Sequence, residues 1–318
     1  MAISDDNLGF LYIFLASFLW ATIAVVGKVA VTMGDSITII VFRIGMAFLL
    51  LTAIILIRGN SVRVSKKDFL LLSAMGLFSC SLFHICYFLA LERITASMTV
   101  VLLYVSPLFV LIFSALFLSE RITNIKILSI FLTLSGCFLV AEAFDAAILQ
   151  LNLTGIMLAL GAALCYSIFT LLSKYMLKSY DPLVVIWYYI GFGLLFLLFV
   201  RPPWILPEMA ASFSSHLWLA ILYLAIFPTL FAYILYISGL RLLEASRASL
   251  LATTEPVISV VLAFLFLGEV MSPLQLLGGL AILIAIILLR MEKGLSDKKK
   301  IKYNSSKEEE PSLPGTRP

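Results

Sequence analysis

Three ionisable residues stand inside long apolar stretches of the chain: Arg43, His84 and Glu255. An ionisable side chain at membrane depth costs roughly 2.5–3.5 kcal/mol on insertion scales, so it persists where it does chemistry or is bonded within the protein. Arginine offers a planar fork to a carboxylate. Imidazole changes charge nearest neutral pH and can relay a proton or hydrogen-bond a ligand. A carboxyl group can take up and release a proton, or pair with an amine. Together the three suit a zwitterionic solute such as an amino acid. Each also has a plainer reading: Arg43 snorkelling outward, His84 packing neutral between helices, and Glu255 bonding backbone groups freed by Pro256. Trp20, Tyr104, Tyr166 and Tyr233 fall at or near mid-depth and could cage a flat or cationic ligand, although aromatic rings more often face lipid or other helices. Pro107 and Pro256 each remove a backbone N–H and kink a helix, opening space or simply setting a packing angle.

The elements that hold these residues follow from composition. The chain has 318 residues, 62% hydrophobic and 13% charged, with a mean hydropathy of +1.11. Soluble domains carry about 25% charged residues, and a soluble fold cannot bury this much apolar surface. A cytosolic enzyme and a disordered chain are excluded, leaving a polytopic, all-α integral membrane protein. At roughly 20 residues per crossing, ten spans are expected near 8–31, 36–57, 69–91, 95–118, 124–141, 154–177, 183–200, 216–240, 245–267 and 273–290. At 1.5 Å per residue, Glu255 then lies about 15 Å deep, at the midplane, with Arg43 and His84 about 10 Å inside the outer surface.

Arg58, Arg63, Lys66, Lys67, Arg121, Lys126, Lys174, Lys178, Arg241 and Arg247 fall in one set of connections, and Lys28, Arg93 and Arg201 in the other. The basic excess marks the cytoplasmic side, so both termini are expected there, in a multi-pass protein of the plasma or inner membrane. Residues 291–318 turn to Lys, Glu, Ser and Pro and read as a disordered cytoplasmic tail. Its lysines are within reach of anionic lipid. The four cysteines show no metal or disulfide spacing. No nucleotide-binding, hydrolase or other cofactor motif is present, and no basic stripe points to nucleic acid.

The chain also repeats itself. At an offset of 149, Tyr87–Glu120 and Tyr236–Glu269 share ten of 34 positions, including Ala96-Ser97 with Ala245-Ser246, Pro107 with Pro256, and Glu120 with Glu269. Upstream, an offset of 146 pairs Gly9 with Gly155, Trp20 with Tyr166, Lys28 with Lys174 and Gly45 with Gly191. His84 then matches Tyr233, Arg43 matches Tyr189, and Glu255 matches Ser106, so the charge is unequal between matching halves. Two five-span units, 8–141 and 154–290, follow. Five is odd, so the copies run oppositely through the bilayer, the inverted ground plan of many secondary transporters. Glu120 and Glu269 are expected to hold loop backbone or a neighbouring helix start.

These residues carry a family resemblance. LLEASRASLLATTEPVISVVLAFLFLGEVMSPLQLLGGLAILIAIILL resembles the second half of an EamA-type member of the drug/metabolite transporter superfamily, and FLASFLWATIAVVGKVAV resembles the opening of its first half. Glu255-Pro256, Gly268-Glu269 and Ala245-Ser246-Arg247 carry the likeness, which covers about residues 8–290. Ser119-Glu120 departs from the Gly-Glu usual at that place in the first half. The resemblance implies a ten-helix basket around a central cavity and a secondary active transporter, an exporter of small organic metabolites by alternating access, with protons as one coupling option. It implies no enzyme activity and no cofactor. Other readings are an uncoupled facilitator or channel-like permease and, behind it, an integral membrane lipid-modifying enzyme. Expected partners are a small-molecule substrate and membrane lipid, with the chain as a monomer or homodimer.

Overall fold

The computed structural model describes residues 4–91, 93–94, 96–142, 152–268 and 270–308, and these are helical apart from short connections. Among the described residues, nine helices are long and apolar enough to cross a membrane. They are α1 Asp5–Val31, α2 Ser36–Arg58, α3 Lys66–Tyr87, α4 Met98–Leu118, α6 Leu153–Met176, α7 Pro182–Val200, α8 Ser215–Leu242, α9 Ala245–Phe266 and α10 Pro273–Glu292. Between α4 and α6 lies a shorter apolar helix, α5 Asn124–Val140. The expected ten spans thus appear as nine of crossing length and one of 17 residues, which rises about 25 Å against a hydrocarbon core of about 30 Å. The helix of α10 continues to Glu308, past residue 291 where the sequence reading begins a disordered tail. Residues 309–318 of that tail, and Glu269, lie outside the described residues.

Helix starts follow from the polar residue placed before each apolar run. Asp35, Ser65, Thr123, Asn152, Asp181 and Ser214 each accept from a backbone amide two or three positions on, satisfying donors that a helix N-terminus leaves open. The connections α4–α5 and α9–α10 begin at matching residues in left-handed backbone, Ser119 (φ 59°) and Gly268 (φ 69°).

The two halves interlock through matching contacts. Gly9 on α1 packs against Leu242 and Leu243, just ahead of α9, and its mate Gly155 on α6 packs against Arg93 and Ile94, just ahead of α4. Leu242 and Leu243 lie 149 residues beyond Arg93 and Ile94. A methyl group at either glycine would collide with these neighbours, so the small residue sets the approach distance. At the far side, α5 and α10 meet through Gly136 and Gly278, each facing the other's carbonyl oxygen. The halves therefore share one interior.

Irregular backbone also recurs with the repeat. Wide π-helical turns cover Gly76–Leu82 in α3 and Ala225–Phe231 in α8, again 149 residues apart. Pro228 sits in the second turn and Ser79 at the matching place in the first, so proline is not what the turn requires. In the second, Thr229 Oγ1 donates to the Leu224 carbonyl at 2.8 Å, occupying an acceptor that Pro228, lacking an N–H, leaves free. Helix α4 breaks at Tyr104–Val105 and α9 at Thr253. Pro107 and Pro256 stand in the first turns of the restarted segments, where a missing N–H costs nothing. They mark interruptions and not bends in a continuous helix.

Candidate functional site

The breaks in α4 and α9 face each other. Tyr104 at the first stands against the Glu255 carboxyl group beside the second. Serines from the other half's opening helix approach carbonyls near both breaks, Ser17 Oγ at 3.4 Å from Ala252 O and Ser167 Oγ at 3.1 Å from Ser106 O. Each shares its one proton with a nearer carbonyl of its own helix, Ile13 O at 2.9 Å and Ala163 O at 2.8 Å. Unwound backbone at membrane depth is tolerated where such partners, or a cavity, take its polar groups.

A cavity of about 940 Å³ opens between these elements. Arg43, His84, Glu255, Trp20, Tyr104 and Pro256 all line it. The residues assigned from sequence to three separate helices and to both breaks are therefore brought together. Tyr166 and Tyr233 are not on its wall. They pack behind Trp20, with ring centroids 6.5 and 5.6 Å from it and edge-to-face geometry, in a cluster that includes Phe169, Tyr189 and Tyr236. The repeat mates Trp20 and Tyr166 thus lie side by side, but one ring meets the cavity and the other supports it. Pro107 is buried away from the cavity.

Arg43 Nη2 lies 3.3 Å from His84 Nε2, and His84 Nδ1 lies 2.5 Å from the Cys80 carbonyl oxygen. Arg43 makes no ion pair among the described residues, and its Nε is buried without a hydrogen-bond partner. An under-satisfied guanidinium beside a cavity is a costly group that a ligand oxygen would relieve. Behind it, the Tyr189 hydroxyl lies 3.3 Å from both the Tyr233 hydroxyl and the Ser79 carbonyl oxygen. Tyr87, one turn from His84, also lines the wall within electrostatic reach of Glu255. Sequence reading passed it over, although its i+3 spacing from His84 puts both on one helix face.

Around these polar groups the wall is apolar, with Val100, Leu103 and Val260 among its members. At one end the cavity reaches the close of α1 and start of α2 (Val31, Ser36), the close of α5 (Ala141) and the α9–α10 connection (Met271). At this end Arg201 Nη2 pairs with Asp35 at 2.8 Å. Burial pushes the Asp35 carboxyl up, but the Thr38 hydroxyl and amide, together with Arg201, outweigh it and hold the group below the usual carboxylate range.

The opposite end is laced together by polar contacts, and none of the residues that make them lines the cavity. Glu120 accepts from the amides of Ala245 (2.6 Å) and Ser246 (3.1 Å) and from the Ser246 hydroxyl. That bears out the expectation that Glu120 holds a helix start. Lys126, only 2% exposed, pairs with Glu244 at 2.7 Å. Lys174 donates to the carbonyls of Leu240 and Leu243, and Arg247 pairs with Asp6 and donates to Leu289 O. The mate of the Glu120 contact would involve Glu269, which lies outside the described residues.

The model of the EamA-like transporter family matches residues 7–141 and 153–291, one copy per half. The chain belongs to the EamA-like transporter family. It is a multi-pass membrane transporter, and the duplication read from sequence corresponds to two EamA domains. It is similar to an uncharacterized transporter of Archaeoglobus fulgidus, 31% identical over 240 residues, which span 75% of this chain and 83% of that protein. It is also similar to an uncharacterized transporter of Clostridium kluyveri, 28% identical over 94% of this chain and 99% of the other. The inner membrane transporter YicL of Salmonella typhimurium, itself described as uncharacterized, is 25% identical over 89% of this chain and 95% of its own. A solved crystal structure shares the fold, with a TM-score of 0.77 and 21% identity over 89% of this chain and 98% of that one.

Proposed function

We propose that this EamA-like transporter is a secondary active exporter of a small zwitterionic solute, an amino acid or a related amphipathic or aromatic compound. It works by alternating access, and Glu255 couples transport to protons. The observation that carries the reading is one cavity with Arg43, which has no acidic partner among the described residues, on α2 and a carboxyl group, Glu255, beside the break in α9. Arg43 engages the carboxylate of the solute. Glu255 meets its amine or, when empty, takes up a proton, with the Tyr104 hydroxyl close by. The apolar wall and Trp20 receive the side chain.

In this reading α5 is the tenth span, paired with its mate α10, and the halves are inverted copies of each other. Both termini are cytoplasmic, as the placement of basic residues supports. The cavity then opens outward, and the Glu120, Lys126, Lys174 and Arg247 contacts close the cytoplasmic end. Alternation exchanges which end is closed, and matching contacts in the two halves supply the near-degenerate states that such an exchange needs.

The test is transport in proteoliposomes with a panel of amino acids, amines and aromatic acids, measured with and without a pH gradient and in counterflow. Gradient-driven flux is expected for a subset of zwitterions. Glu255→Gln is expected to keep counterflow and lose the response to the pH gradient. Full gradient-driven transport by Glu255→Gln would point to the uncoupled facilitator, and absence of flux for the whole panel would overturn the substrate assignment.

A further inference from the structure

The contact between Arg43 and His84 is made by two partners that each have a single role. The Cys80 carbonyl oxygen, 2.5 Å from Nδ1, only accepts, and the Arg43 guanidinium, 3.3 Å from Nε2, only donates. The ring therefore carries its proton on Nδ1 and a lone pair on Nε2. Both nitrogens are occupied, so the ring has no free site from which to hand a proton along the cavity. Its orientation is fixed as well: it is 8% exposed and stands edge-on to Phe83, 5.2 Å away at 88°.

The second half repeats this contact in neutral form. Tyr189 is the mate of Arg43 and Tyr233 the mate of His84, and their hydroxyls meet, also at 3.3 Å, with the Tyr189 hydroxyl equally close to the Ser79 carbonyl oxygen. In both halves the second span is thus bonded to the third through the same two positions. In the first half, the donor of that bond lines the cavity and carries a charge. In the second half, the pair stands behind the wall.

We propose that His84 is a positioning residue for Arg43. Its lone pair holds one guanidinium nitrogen, which fixes the plane and height of the arginine in the cavity and so selects solutes bearing a carboxylate over those bearing an amide or alcohol at that place. This deepens the reading of Arg43 as the carboxylate anchor, and it replaces proton relay as the role of His84.

Two measurements on the full chain in lipid test it. The first is ¹⁵N NMR of protein labelled at histidine, in which His216 is the only other histidine and His84→Gln identifies the signals. At neutral pH the His84 ring is expected to show a protonated Nδ1 and an unprotonated Nε2, and Arg43→Leu is expected to shift the Nε2 resonance. A proton on Nε2 would overturn the proposal whatever transport shows. The second is transport of phenylalanine against phenylalaninamide in proteoliposomes. His84→Leu is expected to raise KM for phenylalanine about tenfold, change kcat by less than about twofold, and leave KM for the amide unaltered. His84→Gln, which keeps an oxygen acceptor for Arg43, is expected to bring KM back to within about threefold of the parent. An equal rise in KM for both compounds would overturn selection through Arg43. Should the parent protein move neither compound, the substrate reading above fails by itself, and the NMR result still decides the role of His84.

Discussion

Ser119 occupies left-handed backbone at φ 59°, where its repeat mate Gly268 stands at φ 69°. A side chain in this region costs roughly 1–2 kcal/mol, and glycine has no such penalty. Ser119→Gly is therefore expected to stabilise the protein by about 0.5–1 kcal/mol, and Gly268→Ala to destabilise it by about 1 kcal/mol. Thermal unfolding in detergent would show the two midpoints moving in opposite directions, and equal shifts of one sign would contradict the assignment. The pair was legible in sequence as a departure from a Gly-Glu pattern. Its backbone conformation was not, because serine carries no local mark of positive φ. The polar contacts of the cavity divide in the same way. Arg43, His84 and Glu255 stood out because each is ionisable within an apolar run. That Arg43 and His84 touch, 41 residues apart, follows from how α2 crosses α3, which the residues' own spacing does not encode.

Capped helix ends offer predictions at the next scale. Glu120 receives two backbone amides and a hydroxyl at the start of α9 and lies 3.9 Å from buried Lys126. A carboxylate there answers both the open donors and the positive end of the helix dipole. Glu120→Ala is expected to cost about 2 kcal/mol, and Glu120→Gln less, because the amide keeps one acceptor oxygen. Chemical denaturation in micelles would rank the three proteins, and Glu120→Ala unfolding with the parent would rule the cap out as a stabiliser. Asp35 caps α2 and pairs with Arg201. Its carboxyl is held below its ordinary value in the folded protein, so the contribution is fully present above about pH 4 and is lost as pH falls through the lowered value. Asp35→Asn should flatten that acid limb of the stability profile and leave the neutral region's slope unchanged. The caps themselves were readable, since Asp, Ser, Thr and Asn before an apolar run mark a helix start. The π turns were not. Only one of the two contains a proline, and the other is built from Gly, Leu, Phe, Ser and Cys, with no residue that requires a wide turn.

For the whole molecule, the offsets of 149 and 146 predicted more than they were asked to. They anticipated matching glycine contacts, matching breaks and matching wide turns, because a duplicated chain re-uses backbone solutions as well as residues. Length was legible too: α5, expected over 124–141, runs from Asn124 to Val140. The laced end makes the last prediction. Lys174 ties the close of α8 to α6 through the carbonyls of Leu240 and Leu243, and Lys174→Met removes that tie. In a background with the four native cysteines replaced, a cysteine introduced by Gln275→Cys at the open mouth should react with an impermeant maleimide. Adding Lys174→Met should slow that labelling several-fold as the population moves toward the other state. Unchanged labelling would mean that this network does not bias the equilibrium.

The packing of α1 sets a schedule for biosynthesis. Ser17 Oγ packs 3.4 Å from the carbonyl oxygen of Ala252, 235 residues later in the chain, and Gly9 seats against Leu242 and Leu243. At translation rates of about 5–20 residues per second, the first helix waits on the order of 10–50 s for its partners to leave the ribosome. During that interval its glycine and serine face meets lipid or the insertion machinery in place of protein. Half a chain, ending before α6, would keep that face exposed indefinitely and should be cleared by membrane proteases, whereas co-expression of the missing half should rescue it.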